Sequence, residues 1–105
     1  MHVEQIGWGV SRQVVRVLRE SGVEDPAGIL DRLPDLAEVD GFLVYAVFEG
    51  LTATAAALVE LPGPNGDAAT YLGDALTPAA DPGTHDALVA RAKHDAASAG
   101  VERLA

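Results

Sequence analysis

Seven consecutive apolar or aromatic residues, Phe42-Leu43-Val44-Tyr45-Ala46-Val47-Phe48, constrain this chain more than any other feature. Side chains of a strand alternate between its two faces, so a run without a polar interruption leaves neither face suited to water. The segment therefore reads as a central strand that needs cover on both sides. Glu49-Gly50 reads as a tight reversal, and Leu51 to Leu61 follows as a second strand. Its expected faces are Leu51, Ala53, Ala55, Ala57, Val59 and Leu61 on one side and Thr52, Thr54 and Glu60 on the other. The turn-forming stretch at 62–67 leads to a third strand, Ala69 to Leu76, with Gly73 as the expected bulge. Three strands joined by short turns make an antiparallel meander.

Cover for this meander is written on both sides of it. Val3 to Trp8 reads as a short opening strand. Ser11 reads as the N-cap of a helix with Val10 and Val15 as its hydrophobic staple and Val14, Val17 and Leu18 as its apolar stripe, closed by Gly22. A second helix is expected to open at Asp25-Pro26, bury Ile29, Leu30 and Leu33, and end at Pro34. After the meander, His85 to Ser98 reads as the longest helix, with Leu88, Val89, Ala92, Ala96 and Ala99 on one face and Gly100 as its C-cap. Val101 to Ala105 is expected to begin one more strand, and Trp8, Tyr45 and Phe48 read as core or core-edge aromatics. The class is α+β, a mixed, mostly antiparallel sheet with two N-terminal helices and one long helix after the meander.

A chain of 105 residues that is 49% hydrophobic has enough apolar material for one domain, spanning residues 1–105. Without cysteine it has neither a disulfide framework nor a thiolate metal site, so a cytoplasmic setting is expected. The opening Met1-His2-Val3-Glu4 lacks the basic head and apolar run of a signal peptide. Seven basic against sixteen acidic residues give a net charge of −9, and no run of Lys or Arg interrupts it. That field repels phosphate backbones and anionic membranes, and it attracts a cationic amine or a basic partner.

The order of elements, together with the words that fill it from Tyr71 onward, resembles the GNAT acetyltransferase family. Tyr71-Leu72-Gly73-Asp74-Ala75-Leu76-Thr77-Pro78 is similar to that family's fourth strand, which closes on an apolar residue, a variable residue and a proline before the cofactor loop. Gly83-Thr84-His85-Asp86-Ala87-Leu88 and Ala99-Gly100-Val101-Glu102-Arg103-Leu104 are similar to its loop-to-helix turn and the start of its fifth strand. The resemblance implies acyl-CoA-dependent transfer of an acetyl group to an amine, with acetyl-CoA held by Leu76, Pro78, Gly83, Thr84, His85, Asp86 and Ala87. Its physical basis is a helix N-terminus whose free amides and partial positive charge meet a diphosphate. The family's loop carries a basic residue and more than one small residue. Here the stretch Ala79 to Ala87 keeps one glycine, has no arginine, loses a donor at Pro82 and sets Asp81 and Asp86 beside the anion, so a weakened cofactor loop is expected. Family members continue into a helix and two more strands, which the text to Ala105 does not contain.

Two side chains are candidates for proton transfer. Asp74 stands near where related enzymes carry a carboxylate that deprotonates the amine, and His85 opens the long helix with an imidazole suited to acid–base work near neutrality. Tyr71 reads as a packing residue, with a place lining the cleft between the fourth and fifth strands, where the family holds the pantetheine arm, as the alternative that the resemblance implies. The metal reading of His85, Asp86, His94 and Asp95 fails on spacing, because the two histidines do not share a helical face. A non-catalytic alternative is a GNAT-fold interaction or dimerisation subunit, a homo-oligomer or partner subunit that docks through the strand edge at 101–105.

Overall fold

In the computed structural model, which describes all 105 residues, the elements run β1 (His2–Gln5), α1 (Trp8–Glu20), α2 (Leu33–Leu36), β2 (Phe42–Glu49), β3 (Thr52–Glu60), β4 (Ala68–Leu76), α3 (Thr84–Ser98) and β5 (Arg103–Leu104). They form one five-stranded sheet in the order β1-β2-β3-β4-β5, antiparallel except for the parallel β4–β5 pair. The α+β class is as expected, with helices on both faces of the meander. No helix is long and apolar enough to cross a membrane.

β2 is an interior strand between β1 and β3, the middle place being held by β3, and its two faces feed separate cores. Val44 and Ala46 join Val14, Val15, Leu18, Ile29, Leu30 and Leu33 beneath α1 and the segment that follows it. Tyr45 and Val47 join Leu88, Ala92 and Ala96 of α3 on the other face. Each large aliphatic side chain buried there contributes about 1.5–3 kcal/mol relative to exposure. Alanine at 92 and 96 lets α3 settle close to the sheet. Val89 is only half-buried and Ala99 is exposed, so the buried stripe is Thr84, Leu88, Ala92 and Ala96.

Several local expectations are corrected. β1 ends at Gln5, and Trp8 opens α1 instead of closing the strand. Gly7, not Ser11, is the N-cap; Ser11 is buried inside the first turn with its hydroxyl donating to Gly7 O at 2.7 Å. The capping acceptor comes from far along the chain, since Glu38 Oε1 accepts from the Trp8 amide at 2.9 Å. Val10 is consequently solvent-exposed and forms no staple, and Trp8, half-exposed on the outer face, is not a core aromatic. Asp25 does cap, accepting from the amides of Ile29 at 2.8 Å and Leu30 at 3.0 Å, but turns rather than a helix follow it. Gly28, at φ +67°, is the reason: a left-handed residue cannot continue an α-helical run. The helical turn comes later, at Leu33–Leu36, with Pro34 inside its start rather than beyond its end.

β3 departs from the simple alternation read from its sequence. Val47 pairs with Ala55 and Phe48 with Ala53, so Thr54 is an extra residue in the ladder. The bulge reverses the phase: Ala53 faces the α1 side, whereas Ala55, Ala57 and Val59 face α3. Leu51, expected inside, is wholly exposed in the two-residue turn after Gly50, whose φ of +63° suits the first position of such a hairpin. Ala56 and Leu58 are buried on the remaining face, so β3, like β2, is covered on both sides.

Candidate functional site

β4 carries the chemistry, and a bulge decides how. Leu58 pairs with Gly73 and Val59 with Tyr71, leaving Leu72 as the extra residue beside the expected Gly73. Gly73 sits at φ +150°, and a Cβ there would lie 2.6 Å from Ala27 Cβ and 3.3 Å from Ile29 Cγ2. The close approach of the 25–30 loop thus requires glycine. Three residues along a regular strand would point to opposite faces. The inserted residue cancels the odd step, so Tyr71 and Asp74 both lie on the α3 side.

α3 completes the cluster because its first turn stands over this end of β4. The Tyr71 hydroxyl donates to Asp74 Oδ2 at 2.8 Å, and Nδ1 of His85 lies 2.5 Å from the same oxygen. The Tyr71 and His85 rings meet edge to face at 5.6 Å. Burial, then the hydrogen bond to Asp74 and its charge, push the Tyr71 phenol far above the ordinary tyrosine value, so it remains a proton donor to the carboxylate. A carboxylate already accepting from Tyr71 accepts from His85 as well, which assigns the Nδ1 proton and leaves Nε2 with a free lone pair in the neutral ring. The Asp74 side chain is 12% exposed and that of His85 57%, so the pair spans the boundary between core and solvent.

The backbone beside this cluster is open. β5 pairs with β4 only at Ala68 and Ala69, with Tyr71 N donating to Ala105 O at 2.8 Å. The next contact on that edge is at Leu76, whose amide and carbonyl exchange hydrogen bonds with Glu24 at 3.0 and 2.9 Å. Leu76 therefore has no free backbone group. Asp74, two residues earlier, turns its amide to the same edge by the alternation of the strand, and neither β5, which pairs only at Ala68 and Ala69, nor the bridge from Glu24 to Leu76 reaches it.

At the mouth of α3 the amides of His85 and Asp86 make no hydrogen bond within the chain, and Gly83 provides no side-chain cap. Thr84 is buried, and its hydroxyl has no partner. Ala87 donates to Gly83 O at 3.0 Å, and Pro78, Asp81 and Asp86 are exposed around the mouth. Asp74, Thr84 and His85 thus converge within one end of the molecule. What sequence reading missed is the coupling of Tyr71 to this group and the bridge from Glu24; the signal for the first was Gly73, once its extra step is counted.

No protein-family model matches the chain, and no curated protein matches it in sequence. Solved structures do match in shape. An aminoglycoside 6′-N-acetyltransferase from Acinetobacter haemolyticus superposes with a TM-score of 0.71 at 14% identity, over 99% of this chain and 77% of that one. A predicted acetyltransferase with acetyl-CoA from Clostridium acetobutylicum gives 0.68 at 12% identity, over 99% and 78%. A GCN5-related N-acetyltransferase from Ralstonia eutropha gives 0.67 at 18% identity, over 99% and 80%. The chain has the fold of the GNAT acetyltransferases.

Proposed function

We propose that this chain is an acyl-CoA-dependent N-acetyltransferase in which His85, held by Asp74, accepts the proton of an amine acceptor. One observation carries the reading: Asp74 Oδ2 lies 2.5 Å from His85 Nδ1 beside an uncapped helix mouth that opens on an unpaired strand edge. Neighbours of the same fold support it, one of them holding acetyl-CoA.

The residues at the mouth of α3 fit a diphosphate. The amides of His85 and Asp86 and the buried Thr84 hydroxyl are donors without an acceptor in the chain, and open space surrounds Gly83. Pro78, Leu76 and Ala87 border the approach. Asp81 and Asp86 each oppose the anion by about 1 kcal/mol, so weak binding is expected. Acetyl-CoA would supply an acetyl group activated as a thioester. The amine nitrogen would bond the carbonyl carbon as the sulfur leaves with the C–S bonding pair as a thiolate, which takes a proton from solvent to become the free thiol. The amine's proton would pass to His85 Nε2 while Asp74 holds the imidazole through Nδ1 and Tyr71 holds Asp74. The acidic surface suits a cationic amine.

Calorimetric titration with acetyl-CoA tests the reading. Saturable binding is expected, weakened several-fold by Thr84→Val and abolished by Gly83→Pro, with thiol release in the presence of polyamines or aminoglycosides. A flat titration at high protein concentration with no thiol release rejects the transferase. The non-catalytic subunit would then stand, with a dimer or larger species in sedimentation as its own signature.

A further inference from the structure

The expectation that no basic cluster interrupts the acidic field does not survive folding. Trp8, Arg12 and Arg16 recur every four residues along α1, with Arg19 beside them, and all are exposed on the side facing away from the sheet. A groove of about 400 Å³ lined by Trp8, Gly9, Arg12, Gln13 and Arg16 runs into a second of about 330 Å³ that shares Arg12 and Arg16 and ends at Glu20 and Pro34. We propose that this outer face of α1 is a docking site for a short acidic segment of a partner protein.

Charge supplies the first argument. Arg19 pairs with Asp31, but neither Arg12 nor Arg16 has a carboxylate within 4.0 Å, in a chain that carries sixteen acidic residues. Two guanidiniums one turn apart repel each other, and an anion bridging them removes that repulsion through forked hydrogen bonds. Trp8 supplies the second argument. The Arg12 guanidinium stands 5.0 Å over the indole, which orients it and leaves a half-exposed aromatic surface next to the charge, as suits an acidic segment bearing one aromatic or apolar residue.

Length and charge choose among anions. From Trp8 to Glu20 the helix rises roughly 18 Å, the span of about five extended residues and too long for one phosphate or carboxylate. A nucleic acid draws its affinity from many phosphate contacts, whereas two free guanidiniums on a chain of net charge −9 provide few. An anionic membrane needs a cluster of about four to eight basic residues. A second copy is disfavoured, because antiparallel pairing of two α1 helices about this stripe brings four guanidiniums together. The site is independent of acetyl transfer, since it lies on the side of α1 away from the sheet.

Trp8 is the single tryptophan, so its emission reports the site directly. Titration of the intact chain with a capped six-residue glutamate-rich peptide ending in phenylalanine should give a saturable change, confirmed by calorimetry and weakened as salt rises. Arg12→Gln combined with Arg16→Gln should weaken binding at least tenfold with the far-ultraviolet spectrum unchanged, and Arg12→Lys should weaken it less. Arg32→Gln, exposed and outside the groove, should leave it unaltered. The proposal is overturned by absence of saturation, by equal binding to the double variant, or by inorganic phosphate, a single-stranded oligonucleotide or an anionic vesicle binding as tightly as the peptide.

Discussion

Tyr71 and Asp74 lie three positions apart on β4 yet share one face of the sheet, and the phenol donates to the carboxylate at 2.8 Å. Their cross-strand partners, Val59 and Ala57, both belong to the core beneath α3, as they would not on an unbroken strand. The single residue inserted at Leu72 converts two remote-looking groups into a pair, and His85 then joins the pair from α3.

Gly73 is therefore the most sensitive backbone position. Gly73→Ala drives a Cβ to within 2.6 Å of Ala27 and strains a φ of +150°, and should destabilise the fold by about 2–4 kcal/mol in urea unfolding. A loss below about 0.5 kcal/mol would show that the 25–30 loop gives way easily. Tyr71 and His85 should also lose their contact, seen as altered aromatic proton shifts.

Asp74→Asn tests the proton path. It keeps the shape but replaces an acceptor shared by Tyr71 and His85, so thiol release should fall about a hundredfold in kcat with little change in KM. His85→Ala should fall at least as far, and the two losses together should not multiply. Independent, multiplicative effects would mean that the residues do not act as a unit.

The alkaline limit of stability should be set partly by tyrosine. Burial, then the hydrogen bond to Asp95 and its charge, raise the Tyr45 phenol well above its ordinary value of 10.0, with Arg91 opposing, and Tyr71 is raised in the same direction. The folded state thus holds these protons more tightly than the unfolded chain. Their contribution is complete below about pH 10 and is lost as the pH climbs from there toward the folded-state value. Tyr45→Phe should cost about 1 kcal/mol at pH 7 but flatten the decline between pH 9 and 11. A variant that tracks the parent across that range would refute the linkage.

Glu38→Ala removes the acceptor at the start of α1. The Trp8 amide loses its 2.9 Å partner, and thermal unfolding should report a loss of about 1 kcal/mol. Glu38→Gln keeps an acceptor and should recover most of it. Equal losses in both variants would point to the charge at the helix terminus rather than to the hydrogen bond.

Much of the architecture was legible because it rests on local periodicity. The unbroken run from Phe42 to Phe48 demanded cover on two faces; α1, the Asp25 cap, the meander, α3 and the last strand all followed from spacing that any short stretch of chain expresses, whereas the C-cap of α3 is Ala99 and not the expected Gly100, which lies one residue beyond it at φ +85°. Asp74 and His85 were legible as residue types, each considered alone, and their meeting was not.

Tertiary structure alone decided where that periodicity breaks. Thr54 steps out of the ladder with β2 and Leu72 out of the ladder with β3, and Gly73 takes its conformation beside Ala27 and Ile29, more than forty positions earlier. Helix α1 starts at Trp8 because Glu38 reaches back across thirty residues, which no nearest-neighbour pattern encodes. The sequence determined which segments fold and which sides seek the core. The phase of each face, and hence which polar groups meet, depended on contacts that exist only once the sheet has closed, since a one-residue step costs little locally and reorients every side chain beyond it.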